Sequence, residues 1–190
     1  MQPNVSSMPA TRWTAGRVGR TVLTTVLLLY GVAILRAGEF AAIDNVNLPI
    51  HETGHILFGM FGELVTAMGG SLFQLILPAI FVGYFLRRRD QYAASVALWW
   101  VAENFWNVAI YIADAREQAL PLVGGGEHDW AFILAELDVL RYDDRNAAIV
   151  RFVGIVVFVI AVLWGYASAA APRGSVAAIE SSSLTSDSPK

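Results

Sequence analysis

Four long apolar runs divide the chain, at residues 21–37, 66–86, 92–113 and 148–170. Each is close to the roughly 20 residues a helix needs to cross about 30 Å of hydrocarbon. The pattern predicts an all-α fold, a polytopic membrane helical bundle of four to five transmembrane segments. A fifth apolar element, about 47–63, is shorter and polar at its start. Pro49 stands where that helix is expected to begin, and Gly62, Gly69 and Gly70 offer places to break it. Residues 1–18 and 172–190 are polar and read as disordered tails, leaving 19–171 as one membrane domain. Within the first run the uncharged stretch Thr21 to Leu35 is followed by Arg36 where a signal peptide would have a small-residue cleavage site, so an uncleaved signal anchor is expected.

Composition agrees with this class. The 190 residues are 56% hydrophobic and 15% charged, the latter well under the soluble norm of about 25%. A net charge of -3 gives no reason to expect nucleic acid as a partner. The partners expected are the lipid bilayer and a protein or peptide substrate. Cysteine is absent, so any metal must be held by His, Asp or Glu.

Basic residues orient the helices. Arg12, Arg17 and Arg20 precede the first run, Arg87-Arg88-Arg89 follow the second and Arg173 follows the last. The positive-inside rule places all three groups in the cytoplasm. That holds if the short fifth element is re-entrant or interfacial, giving four crossings with both termini cytoplasmic. A full crossing by that element makes five spans and puts Arg87 to Arg89 outside.

The short element carries the chemistry. His51-Glu52-Thr53-Gly54-His55 is an H-E-x-x-H motif, and it holds two of the three histidines of the chain. On a helix, residues four apart share a face, so the two imidazoles can hold one Zn²⁺ together. Glu52 falls about 100° away, where it can take a proton from a zinc-bound water whose pKa the metal lowers to about 7. Ionisable groups at membrane depth are expensive, which favours a functional reading.

A catalytic zinc takes three protein ligands plus water. Asp114 is one candidate for the third: Glu103, Asn107 and Asp114 fall within about 40° of one another on a helix, a polar stripe suited to the bundle interior. Without a metal, Asp114 would be a solvated edge residue pairing with Arg116. His128 is the other candidate, with Asp129 as a second acceptor holding a ligating imidazole in place. Without a metal, His128-Asp129 would be the capped start of an amphipathic surface helix over 130–137. The sequence leaves His₃ and His₂Asp sites open. Glu103 and Asn107 are candidate supporting or substrate-facing groups, and Ser71, Gln74 and Pro78 read as helix-packing residues.

The chain resembles the site-2 protease family of intramembrane zinc metalloproteases. That family carries H-E-x-G-H in an apolar helix, as in His51-Glu52-Thr53-Gly54-His55, and a glycine-led next span similar to Gly69-Gly70-Ser71-Leu72-Phe73-Gln74-Leu75. The resemblance covers roughly 45–115, and only its first motif is specific. It implies zinc-dependent proteolysis of membrane proteins, with Asp114 in the place of the family's later aspartate. The glycine after that aspartate and the family's proline–asparagine pattern are missing. Taken together, the residues predict a membrane zinc metalloprotease. A zinc-dependent lipid amidase or esterase would use the same metal chemistry, and a non-catalytic scaffold would use the polar cluster only to join helices.

Overall fold

The computed structural model describes residues 15–120 and 127–171. Among these residues every regular element is helical: α1 (Ala15–Ala37), α2 (Asp44–Phe58), α3 (Glu63–Arg87), α4 (Gln91–Ala113), α5 (Asp129–Glu136) and α6 (Asp143–Ala170). Residues 15–18, expected in the N-terminal tail, form the first turn of α1, and the remainder of both expected tails lies outside the described residues.

Among the described residues three helices are long and apolar enough to cross a membrane: α1, α3, and α6 with the turn before it. Their outer faces leave large apolar side chains exposed, among them Val26, Leu29, Ile80, Phe152 and Leu163. Water would not tolerate so continuous an apolar surface, whereas a bilayer covers it, as expected of a membrane protein. Among the described residues three helices meet this measure of length and composition, which by itself does not reach the expected four to five crossings. α4 has the length, but Glu103, Asn104 and Asn107 dilute its apolarity. It sits between α3 and α6 with most of its residues buried, so its surroundings are protein.

The core is aromatic. Trp99 and Trp106 of α4 pack with Ile34 of α1 and with Phe158 and Val162 of α6. Trp99 Nε1 donates to the Leu27 carbonyl at 3.0 Å, which satisfies a buried donor across the α1–α4 contact. A second cluster, including Ile112, Ala131, Leu134 and Ala147, seats α5 against α4 and α6. At one end of the bundle Tyr92 Oη donates to the Arg20 carbonyl at 2.7 Å, and Thr25 and Tyr166 hydroxyls meet at 2.9 Å. The starts of α1 and α4 and the end of α6 therefore gather there, with Arg20 and the Arg87–Arg89 turn.

α2 is set differently. Its start lies beside the middle of α4, where Asn47 donates to Glu103 Oε2 at 2.8 Å and accepts from Trp100 Nε1 at 2.9 Å. Its end lies beside the start of α3. The helix begins at Asp44, more than a turn before the expected start at Pro49. The Asp44 carboxylate accepts from the Ala41 amide at 2.6 Å and from Asn47 at 2.9 Å, which fixes the earlier start. Gly62, at φ 95°, ends the short 3₁₀ turn after α2, as expected of a break. Gly69 and Gly70 do not break anything. They lie inside α3, where α2 comes so close that a methyl at Gly54 would overlap the Gly69 carbonyl.

Candidate metal centre

This glycine contact sets the position of the motif. Without side chains at Gly54, Gly69 and Gly70, α2 lies directly on the backbone of α3. A Cβ at Gly70 would stand 2.5 Å from His51 Nε2, so the absence of a side chain there makes room for the imidazole. His51 and His55 then sit on one face of α2 with ring centroids 4.8 Å apart and planes at 77°.

Each imidazole is held through Nδ1. His55 Nδ1 lies 2.8 Å from the backbone carbonyl of Thr66, and His51 Nδ1 lies 3.1 Å from Gln74 Oε1. Carbonyl oxygens only accept, so both Nδ1 atoms carry the proton and both Nε2 atoms are left to face the cavity. Gln74 is held in turn by donating to Asn107 Oδ1 at 2.6 Å. This arrangement, in which the far nitrogen of each ring donates to a fixed acceptor, is how ligating histidines are oriented in metal sites.

Asp129 completes the group. Its Oδ2 is 3.1 Å from His51 Nε2 and 3.3 Å from His55 Nε2. Among the described residues His51, His55 and Asp129 are a set whose ligand atoms lie within 4.8 Å of one another, close enough to hold one metal ion. Zinc bonds of about 2.0–2.1 Å in tetrahedral array require ligand atoms about 3.3 Å apart; the two histidine–aspartate separations, 3.1 and 3.3 Å, meet this, and the two imidazoles and one carboxylate are donors that suit the ion. The same closeness lets the imidazoles and the carboxylate form an ion pair. The hydrogen bond that His55 donates to the Asp129 carboxylate pushes the imidazole up to about 9, against the smaller opposing effect of burial. Burial pushes the Asp129 carboxyl up, but hydrogen bonds from His51 and His55 outweigh it and hold the group at about 2.

The two expected third ligands are placed elsewhere, with each other. His128 is the N-cap of α5, its Nδ1 accepting from the Ala131 amide at 3.1 Å, while its Nε2 stands 3.3 Å from Asp114 Oδ2. Asp114 caps the end of α4 and also accepts from the Ala119 and Leu120 amides at 2.9 and 3.0 Å. His128 Nδ1 is thus taken up by the cap, and its buried Nε2 makes no hydrogen bond but lies next to Asp114, outside the cluster of His51, His55 and Asp129. The capped helix start expected for His128-Asp129 is present, though α5 is partly buried and not a surface helix. Arg116 pairs with Asp143 and Asp144 and not with Asp114.

The other expected site residues divide. Glu52 is exposed on the wall of a cavity of about 1140 Å³ that also holds His51, His55, Asp129 and Asn107. Asn107 reaches His51 only through Gln74. Glu103 is 1% exposed, bonds Asn47 and is not on the cavity wall, so it anchors the start of α2. Two contributors do not stand out in the sequence as site residues. Gln74 reads there as packing, although a lone amide in an apolar run is its signal. Tyr111 stands four residues beyond Asn107 on the same face of α4. Its hydroxyl accepts from the Asp129 amide at 3.3 Å, and its ring meets His128 at 4.2 Å and His51 at 5.9 Å.

Comparison of the chain with protein-family models, curated protein sequences and solved structures returns no match, so the geometry of this centre carries the functional argument.

Proposed function

We propose that the protein is a membrane-embedded zinc metallohydrolase of peptidase type. One observation carries the reading: two imidazoles, each fixed through Nδ1 by a carbonyl acceptor, present Nε2 to a single carboxylate oxygen at 3.1 and 3.3 Å beside a glutamate-bearing cavity. His51, His55 and Asp129 would hold the ion. Bound zinc supplies an acidified water and a Lewis acid for the scissile carbonyl.

The chain's own residues do the rest. Glu52, beside the two histidines on the motif helix, accepts the proton of the attacking water and returns it to the leaving amine. Gln74 and Asn107 hold the His51 ring, and the Thr66 carbonyl holds that of His55. Tyr111 holds the Asp129 backbone. The glycine contact between α2 and α3 fixes the histidines with respect to all of these.

In this reading α1, α3, α4 and α6 cross the bilayer. α4 crosses as the central helix, where its polar residues meet protein and not lipid. The 15 residues of α2 rise only about 22 Å, short of the roughly 30 Å of hydrocarbon, so α2 is re-entrant. The arginine-bearing end and both termini are then cytoplasmic, and the cavity opens toward the opposite face. The chain has no cysteine, so a single cysteine at position 88 reports its side cleanly. Labelling from outside at that position contradicts the four-span reading.

The test of catalysis is Glu52→Gln. It is expected to keep zinc and lose peptide turnover, since Glu52 moves a proton and does not bind metal. Turnover at the wild-type rate removes Glu52 from the mechanism. Hydrolysis of acyl-lipid but not of peptide makes the protein a lipid amidase or esterase instead.

A further inference from the structure

The cavity around the candidate metal centre is acidic beyond what metal binding needs. Besides Asp129 its wall carries Asp44, Glu52, Glu63 and Glu127, and among the described residues no Lys or Arg lines it. These carboxylates come from separate places in the chain: the start of α2, the motif, the start of α3 and the segment before α5. None of the four pairs with an arginine among the described residues. The sequence between Leu120 and Glu127, Pro121-Leu122-Val123-Gly124-Gly125-Gly126, contains no charged residue.

A bound dication would be balanced by Asp129 and Glu52. Asp44, Glu63 and Glu127 remain uncompensated. A cleft with one sign of charge and low-dielectric walls focuses its field and concentrates ligands of the opposite sign. The same wall carries Phe40, Leu48, Leu120 and Phe132, which suit an apolar chain. The two features together fit a segment that is apolar at its centre and cationic at its flanks, and they repel an anionic lipid headgroup.

We infer that the cavity selects polypeptide segments bearing Lys or Arg beside an apolar stretch, with Glu63 and Glu127 as specificity-determining residues. This rests on the peptidase reading above for its catalytic consequence, but the binding preference is measurable without turnover. The experiment uses two fluorescent peptides with the same apolar centre, one flanked by lysines and the other by glutamates. Binding is read by anisotropy in uncharged detergent, to the zinc-loaded full-length Glu52→Gln protein and to the zinc-free wild type. The lysine-flanked peptide is expected to bind on the order of tenfold tighter at low salt, with the gap closing as salt screens the charges. Combined Glu63→Gln and Glu127→Gln replacement should narrow the gap while leaving zinc content unchanged. Equal binding of the two peptides, binding of neither, or a gap that the double replacement does not narrow overturns the inference. Hydrolysis with no charge preference overturns it while leaving the peptidase reading standing. A lysine preference in a protein that neither takes up zinc nor cleaves peptide upholds the inference and sinks the peptidase reading.

Discussion

Asp114 Oδ2 stands 3.3 Å from His128 Nε2, and the pair closes both ends of the segment between α4 and α5. Asp114 holds the outgoing chain through the Ala119 and Leu120 amides, and His128 caps the helix on which Asp129 is the first residue. The pair thereby positions Asp129 without touching the histidine cluster. Asp114→Ala and His128→Ala are each expected to weaken zinc binding about 10–100-fold, the usual scale for residues that orient ligands. The double replacement should cost little more than either single one, because the pair acts as a unit. Chelator competition measures all three. A single variant that binds zinc no better than Asp129→Ala would make that residue a ligand.

The glycine contact predicts a graded response. Gly70→Ala would place a methyl 2.5 Å from His51 Nε2. The ring must then swing off Gln74 and Asp129, so zinc affinity should fall by more than about tenfold. Gly54→Ala meets backbone instead of a movable side chain, so α2 and α3 must separate at a cost of about 1–3 kcal/mol. Gly83 has open space around it, and Gly83→Ala should be neutral or slightly stabilising in its helix. Thermal unfolding and zinc content of the three variants check this order. Wild-type zinc affinity in Gly70→Ala would show that the ring is not confined there.

The zinc-free protein should depend on pH through His55. The Asp129 hydrogen bond raises that imidazole from 6.5 to about 9, so the contact contributes stability that is full below about pH 6.5. That contribution is lost as pH rises through about 9. Asp129, held down at about 2, weakens the contact from the acid side only as pH falls below the ordinary carboxylate range toward 2. Zinc must displace the His55 proton, so its apparent affinity should rise with pH up to about 9. An NMR titration of His55 is expected to show a midpoint near 9 that drops in Asp129→Asn. A wild-type midpoint near 6.5 would mean that the two side chains do not meet.

Much of this fold is legible in the apolar runs, because a span-length run with at most one charge has few other ways to satisfy its backbone. α3, α4 and α6 extend from the runs that predict them, and α1 begins six residues before its run. Gly69-Gly70 misleads because a glycine pair looks the same whether it ends a helix or admits a neighbour. The histidine pair of the motif is legible from spacing alone. The third member of the cluster is not, since His128 and Asp129 are adjacent and only the capping geometry decides which one faces α2. His128, taken up as N-cap, turns back along α5, and Asp129 is left to reach the histidines. Asp114 is expected on the polar stripe but lies apart from the histidines for a related reason: a helical-wheel angle places a residue on a stripe only while the helix continues, and α4 ends at Ala113.

The central claim is that His51, His55 and Asp129 hold one zinc. Its most direct test is the metal content of full-length protein purified and then equilibrated with zinc, wild type beside Asp129→Ala and His51→Ala. The account predicts about one zinc per chain in the wild type, from the three-ligand set, and loss of that zinc in both variants. A wild type that stays metal-free, or an Asp129→Ala protein that keeps its full zinc, would contradict it.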